Sequence, residues 1–307
     1  MLRSALLAAS RSGAVRELVE RTPLTRPVVK RFVSGDDVAA AVATTGEVLA
    51  DGRFVTLDHL GEDTRDAAQA SATVEAYLDL LRRLELAGHT ERAEVSVKLS
   101  AVGQFLPVDG EKIALENARR ICSAAGAVGT TVTLDMEDHS TTDSTLGILR
   151  DLRVDFPWVG VALQAYLKRT EQDCRDLAHA GSRVRLCKGA YREPASVAFQ
   201  DKADVDRSYV RCLKALMAGE GYPMVASHDP RLIAIARELA KDRSPETYEY
   251  QMLYGIRPDE QRRIAAAGNR MRVYVPYGDQ WYGYFMRRLA ERPANVAFFL
   301  RSLVTTG

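Results

Sequence analysis

Residues 131–167 read TVTLDMEDHSTTDSTLGILRDLRVDFPWVGVALQAYL and contain one complete unit of a pattern that runs through most of the chain. The unit begins with the short apolar run TVTLDME (131–137) and closes with the next one, VGVALQAYL (159–167). Both runs have about the length of a buried strand and are rich in Val, Leu or Thr. A longer segment separates them, and the stretch therefore predicts a strand, a helix and a second strand.

The same alternation continues on both sides of this unit, with roughly 25–40 residues per repeat. Alternation of this kind implies parallel strands joined by helical crossovers, and eight units in about 250 residues are typical of a closed (β/α)₈ barrel of the TIM type. A doubly wound open sheet is the alternative. Against it, no strand is followed by the GxGxxG or GxxxxGK[ST] loop that binds nucleotide phosphates. The eight predicted strands are FVTLDHL (54–60), EVSVKLS (94–100), TVTLDME (131–137), VGVALQAYL (159–167), VRLCKGAY (184–191), PMVASH (223–228), YEYQML (248–253) and MRVYVPY (271–277).

The N-terminal segment differs from the rest in its charge. Residues 1–31 hold seven basic and two acidic residues, a local charge of +5, behind an apolar start. An Arg-rich start is also found in mitochondrial transit peptides, but these avoid acids, and Glu17 and Glu20 interrupt this one. We therefore expect a helical arm over residues 1–45 and a catalytic barrel over 46–307. The basic, amphipathic stretch leaves a contact with an anionic lipid surface open.

Bulk composition excludes several classes of protein. The net charge is +1, which gives no sign of nucleic acid as a partner. No run approaches the roughly 20 apolar residues of a membrane span. The four cysteines lack CxxC spacing, so we expect no metal site and buried, reduced thiols.

Polar side chains interrupt the apolar strands close to their ends. In a (β/α)₈ barrel, chemistry collects at the carboxyl ends of the strands, and buried charges there are costly unless they are paired. A single such residue is most simply a salt-bridged loop residue, but charged residues on three neighbouring strands predict a compensated polar site. These residues are Lys98, Asp135, Gln164, Arg185, Lys188, His228, Gln251 and Tyr274.

The last helical segment carries Arg287, Arg288 and Glu291 within one turn. Glu291 lies four residues after Arg287 and three after Arg288, which is the spacing of a surface ion pair. Two adjacent arginines are also suited to clamp a carboxylate or a phosphate. The residues alone leave both interpretations open.

Taken in order, the motifs resemble those of the proline dehydrogenase family over residues 54–295. They are SVKLSA (96–101), TLDMEDH (133–139), LQAYLKR (163–169), VRLCKGAY (184–191), ASHD (226–229), YEYQMLYG (248–255), RVYVPYG (272–278) and YFMRRLAE (284–291). The combination of LxKGAY after an arginine with RRLxE near the C-terminus is specific. The resemblance implies a distorted barrel with its eighth helix over the mouth and FAD inside. The length is similar to that of the stand-alone bacterial enzyme, without an attached aldehyde dehydrogenase module.

The resemblance also implies roles for individual residues. Lys98, Arg287 and Arg288 would bind the carboxylate of L-proline, while Asp135 would pair with Lys98. Arg185 would lie beside the reactive flavin nitrogen and Glu291 would orient the arginine pair or a ribityl hydroxyl. Tyr274, Leu253 and Tyr191 would wall the proline ring. The residues expected to contact FAD are Met136, Gln164, Lys188, Gly189, Ala190, Ser227 and His228. Two residues depart from the family: Ser227 stands where Thr is common, and Cys187 stands where Val is frequent. In the family a carboxylate gates the site by pairing with one arginine of the last helix, and Glu62 or Asp63 is the candidate for it here.

The implied reaction is oxidation of L-proline to Δ¹-pyrroline-5-carboxylate, with electrons passed to a membrane quinone. We expect a cytoplasmic enzyme, at most peripheral on the inner face of the membrane, with an aldehyde dehydrogenase of the same pathway as a further partner. A 4-hydroxyproline dehydrogenase is an alternative, which the bulk of Tyr274 disfavours. A catalytically dead barrel acting as a binding protein is another, which the intact set of charged residues disfavours.

Overall fold

The structure is a computed structural model that describes residues 29–291, with side chains from Val29 to Arg288. Strands and helices alternate along this part of the chain. The strands are β1 Phe54–His59, β2 Ala93–Val97, β3 Val132–Leu134, β4 Gly160–Gln164, β5 Arg183–Cys187, β6 Tyr222–Ala226, β7 Glu249–Leu253 and β8 Met271–Tyr277. The helices are α1 Val38–Leu49, α2 Ala67–Leu86, α3 Gly110–Ala127, α4 Thr142–Asp155, α5 Thr170–Asp176, α6 Lys202–Ala218, α7 Pro230–Leu239, α8 Pro258–Ala266 and α9 Trp281–Glu291.

The eight strands form a closed parallel barrel in sequence order. Closure is made by β1, in which Leu57 lies opposite Val95 of β2 on one side and Val275 of β8 on the other. Each of the eight apolar runs identified in the sequence overlaps one strand, and β2, β5 and β6 begin one residue before their runs. The prediction of a closed (β/α)₈ barrel is therefore confirmed, and the doubly wound alternative is wrong.

The helices cover the barrel because each buries one apolar face and has a defined start. In α2, the residues Val74, Tyr77, Leu80, Leu81 and Leu84 are buried against the strands. Aspartates cap several of the N-termini, where a carboxylate accepts from an otherwise unpaired backbone amide. The capping residues are Asp37 of α1, Asp66 of α2, Asp201 of α6 and Asp229 of α7. Within residues 29–291, no helix combines the length and apolarity needed to cross a bilayer.

Helix α9, the eighth to follow a strand, lies over the mouth of the barrel, as the resemblance implies. The segment 29–35 holds it there. Phe32 packs against Phe285 with ring centroids 6.3 Å apart, and both are buried in one apolar cluster. The amide of Ser34 donates to the carbonyl of Pro276 at 3.0 Å and fixes the segment to β8. Most of the expected N-terminal arm, residues 1–28, lies outside the described residues, so the division at residue 45 stays a prediction.

A layer of paired charges fills the barrel interior near the amino ends of the strands. Glu94 of β2 is 1% exposed and lies 2.6 Å from Arg183, with Arg185 and Arg272 each at 3.8 Å. Burial raises the pKa of its carboxyl, but the charges of Arg272, Arg183 and Arg185 outweigh burial and bring the pKa to about 2. Glu94 is therefore ionised, and it neutralises arginines that the barrel has removed from water.

Replacing Glu94 by glutamine should destabilise the fold, because buried arginines would lose their counter-charge. The expected loss in the free energy of unfolding is about 3–5 kcal/mol, measured by urea denaturation at constant pH. Glu75→Gln is the control, since Glu75 pairs with Arg120 at the surface, where such a pair is worth about 1 kcal/mol or less. Equal losses in both variants would contradict a neutralising role for Glu94.

Candidate active site

A cavity of about 440 Å³ opens at the carboxyl ends of the strands, beneath α9. Its wall contains every residue that the resemblance assigns to substrate or FAD except Glu291, whose side chain lies outside the described residues. These residues are Lys98, Asp135, Met136, Gln164, Arg185, Lys188, Gly189, Ala190, Tyr191, Ser227, His228, Leu253, Tyr274, Arg287 and Arg288. Gln251, singled out only by its place in β7, also lines it. The polar residues read from separate strands are thus brought together in one place.

Asp135, which follows β3 directly, is the centre of the polar contacts in this cavity. Its carboxylate accepts from Ser96 Oγ and Tyr274 Oη, each at 2.6 Å, and from Arg185. Lys98 Nζ lies 3.5 Å away. Burial raises the pKa of Asp135, but the charges of Arg185 and Lys98 lower it below the usual range. Asp135 is therefore ionised and links β2, β5 and β8.

Lys98 has a closer partner that the sequence analysis did not identify. Its Nζ lies 2.6 Å from Oδ2 of Asp58 on β1, and Asp58 is fully buried. Asp135 does contact Lys98, as expected, but as the more distant of two carboxylates. Burial lowers the pKa of Lys98, and the two carboxylates more than reverse this effect, so the ammonium stays charged. Asp58 interrupts the apolar run FVTLDHL, which is the same signal that identified the other residues.

Arg185 is held in a fixed orientation by contacts on two sides. Its Nε donates to Gln251 Oε1 at 2.7 Å, and its Nη1 donates to Ser96 Oγ at 3.0 Å as well as to Asp135. Gln251 in turn donates to Glu249, which pairs with Arg272 at 2.7 Å. The guanidinium of Arg185 therefore cannot rotate without breaking several buried contacts.

The two arginines of α9 face the cavity and not the surface. Arg287 forms a two-fold ion pair with Glu62, one contact of which is 3.0 Å long. Arg288 is 8% exposed, and its guanidinium lies over the ring of Tyr284, 5.1 Å from the centroid. Of the two candidates for a gating carboxylate, Glu62 and Asp63, it is Glu62 that pairs with Arg287. The pairing of either arginine with Glu291 stays a prediction, because the side chain of Glu291 lies outside the described residues.

The opposite wall of the cavity is built from the ends of β5 and β6. Lys188 lies between Asp206 and Asp229, 3.2 Å from the latter. Gly189 has a φ of +118°, and a Cβ there would lie 2.3 Å from the ring of Tyr166, so only glycine fits. His228 Nε2 accepts from the amide of Leu253 at 3.0 Å, which fixes the imidazole against β7.

Ser100, which follows β2, and Glu137, which follows β3, form a buried pair that the sequence analysis also missed. Glu137 accepts from both the amide and the hydroxyl of Ser100. Burial raises the pKa of Glu137 to about 7, although both hydrogen bonds from Ser100 lower it. The pair lies in SVKLSA and TLDMEDH, but no local pattern in those motifs indicates the contact.

The described cavity wall carries five cationic side chains and four carboxylates, next to the apolar surface of Tyr191, Leu253 and Tyr274. Lys98 follows β2, and Arg287 and Arg288 belong to α9 over the mouth, so three cations face one cavity. This arrangement suits a small anionic ligand with an apolar body.

Comparison with known proteins gives one consistent result. A profile of the family described as "Proline dehydrogenase" matches residues 41–301. Proline dehydrogenase 1 of Bacillus subtilis is 40% identical over 282 residues, which are 91% of this chain and 92% of the relative. Proline dehydrogenase of Deinococcus radiodurans is 39% identical over 99% of this chain and 98% of its own. The crystal structure of proline utilization A from Bdellovibrio bacteriovorus is similar, with a TM-score of 0.80 and 25% identity over 92% of this chain and 34% of that one.

Proposed function

The chain belongs to the proline dehydrogenase family and is an oxidoreductase, and we propose that it oxidises L-proline to Δ¹-pyrroline-5-carboxylate with a bound FAD. The observation that carries the proposal is the placement of Lys98, Arg287 and Arg288 around one cavity that also holds Arg185. The first three cations suit the carboxylate of an amino acid, and Arg185 is proposed to contact the cofactor.

The proposed substrate contacts follow from the charges. Lys98 is kept charged by Asp58 and Asp135, so it can donate to a carboxylate at any pH near neutrality. Arg287 and Arg288 approach from α9. Contacts from a strand end and from α9 would fix the carboxylate and, with it, the ring carbon that reacts. A fixed position matters because hydride transfer needs the reacting atoms about 3–3.5 Å apart.

The cavity residues fit FAD, which would supply the hydride acceptor. Arg185 lines the cavity, and its guanidinium is fixed by Gln251, Ser96 and Asp135. We propose that this fixed positive charge lies beside the flavin ring and stabilises negative charge that develops there. The absence of a nucleotide-binding glycine loop agrees with a cofactor held by the barrel itself. We propose flavin contacts from Met136, Gln164, Lys188, Gly189, Ala190, Ser227 and His228, and an orienting role for Glu291.

Loss of the hydride leaves an iminium, so the proline nitrogen must be neutral before transfer. The reaction rate should therefore rise with pH. No described residue is assigned as an obligatory base, and solvent can accept this proton.

The proline ring is proposed to contact three side chains, those of Tyr274, Leu253 and Tyr191. The hydroxyl of Tyr274 donates to Asp135 and lies 3.4 Å from Lys98 Nζ, so its ring is held between the charged groups. A held ring crowds a hydroxyl at the fourth carbon of the substrate, which disfavours 4-hydroxyproline. A dead barrel is disfavoured because Lys98, Asp135 and Arg185 are joined in one network.

We propose a quinone as the electron acceptor, reached by peripheral contact with the inner face of the membrane, in a cytoplasmic protein. An aldehyde dehydrogenase of the same pathway is a proposed partner. The protein PutA of Escherichia coli is 28% identical over 89% of this chain and 24% of its own, and its description as bifunctional supports such a pairing.

Purified protein should carry FAD absorbance, and L-proline should bleach it anaerobically without added nicotinamide. The reason is that the proposed hydride acceptor is already bound beside Arg185. Reoxidation by a short-chain quinone in the presence of liposomes tests the acceptor. Bleaching that required NAD, or protein that takes up no FAD, would contradict the proposal.

Arg288→Met should raise the KM for L-proline about ten- to hundredfold, because one charge-assisted contact to the carboxylate is worth about 1.5–3 kcal/mol. Flavin content should stay at the wild-type value. Arg82→Met is the control, since Arg82 pairs with Asp79 on the exposed face of α2, and it should leave the KM unchanged. An unaltered KM in Arg288→Met would exclude Arg288 from the carboxylate site.

Tyr274→Ser should lower turnover of proline and narrow its preference over 4-hydroxyproline, because the ring that crowds the fourth carbon is lost. Tyr274→Phe keeps the ring but loses the hydrogen bond to Asp135, so it should keep the preference even if turnover falls. The kcat/KM ratio for the two substrates is the measurement. A wild-type ratio in Tyr274→Ser would remove Tyr274 from the specificity wall.

A further inference from the structure

The loop between β1 and α2, residues 60–66, carries Glu62, the carboxylate that pairs with Arg287. Its path is unusual directly after Glu62, where Asp63 has a φ of 55°. A residue other than glycine adopts this left-handed conformation at a cost of about 1 kcal/mol. Such a conformation persists only where surrounding contacts hold it.

Those contacts come from one residue, Ser100, in the turn Leu99–Val102 that follows β2. The hydroxyl of Ser100 accepts from the amide of Asp63 at 3.2 Å, and its carbonyl accepts from the amide of Thr64 at 3.2 Å. Ser100 is fully buried. The amides of the two residues that follow Glu62 are therefore fixed by the hydroxyl and the carbonyl of Ser100.

Ser100 is itself held by Glu137, beyond the end of β3. The amide of Ser100 donates to Glu137 Oε2 at 3.1 Å, and its hydroxyl donates to Oε1. Glu137 is fixed in turn through its carbonyl, which accepts from Gln164 Nε2 at 2.6 Å. A continuous chain of hydrogen bonds thus runs from β4 to the loop that carries Glu62.

We propose that Ser100 is a positioning residue for the arginine clamp: it fixes the β1–α2 loop so that Glu62 holds Arg287 in place over the cavity. Ser100 is not part of the cavity wall, so it acts through Glu62. An arginine has five N–H donors and Glu62 takes two, which leaves others for a second carboxylate. Binding that second carboxylate costs less when the arginine is already ordered.

The inference rests on the proposed binding of the proline carboxylate by Arg287. Ser100→Ala should raise the KM for L-proline about three- to tenfold, the loss expected for a hydrogen bond, with kcat within about twofold of wild type. Glu62→Gln should raise the KM as well, and the double variant should be no worse than Glu62→Gln alone, because both changes act on one ion pair. A double variant in which the two increases in KM multiply would overturn the proposal.

Hydrogen exchange of the amides of Asp63 and Thr64 gives a readout that does not depend on activity. Exchange should accelerate at least tenfold in Ser100→Ala and stay at the wild-type rate in Ser208→Ala, which removes a buried hydroxyl of α6 that contacts Cys212 and not the β1–α2 loop. Unchanged exchange in Ser100→Ala would overturn the positioning role, whereas a wild-type protein that does not oxidise proline would refute the proposed function instead. If Ser100→Ala does not fold, Ser100→Cys replaces it, since a thiol is a weak acceptor for the amide of Asp63.

Discussion

The carboxylate of Asp135 is the interaction on which the rest of the cavity depends. In the barrel interior a lone charge is costly, and four groups from three other strands or their ends converge on this one. Without this carboxylate, the positive charges of Arg185 and Lys98 would lose a shared counter-charge. Because Arg185 is proposed to face the flavin and Lys98 the substrate, Asp135 sets the positions of both.

Buried charges are also paired on either side of Asp135 along the barrel axis, towards the amino ends of the strands and towards the mouth. Towards the amino ends of the strands, Glu94 neutralises the arginines beneath the cavity. Towards the mouth, Glu62 pairs with Arg287, and the segment 29–35 packs α9 onto the barrel. The barrel thus holds a mostly compensated set of charges, and the ligands are proposed to bind against this fixed set at the carboxyl ends of the strands.

Strand periodicity predicted the barrel, and polar residues at strand ends predicted eight residues of the cavity wall, because both are local signals. The other predicted residues of the wall came from the resemblance to the family. The sequence did not predict which charges pair. Asp58 meets Lys98 only because β1 and β2 are neighbours in the closed barrel, and the pairing of Ser100 with Glu137 joins residues 37 positions apart. The sequence did not decide whether Glu62 or Asp63 pairs with the arginine, because the direction of the loop depends on the left-handed conformation of Asp63.

A double-mutant cycle between Lys98 and Asp135, measured as kcat/KM for L-proline, tests most directly whether these residues act as one unit. Lys98→Met and Asp135→Asn should each lower kcat/KM, with FAD content checked for each variant. The account predicts that the double variant lies within about threefold of the worse single variant, as for groups that work together. Losses that multiply would show that the two residues act independently and would contradict the account.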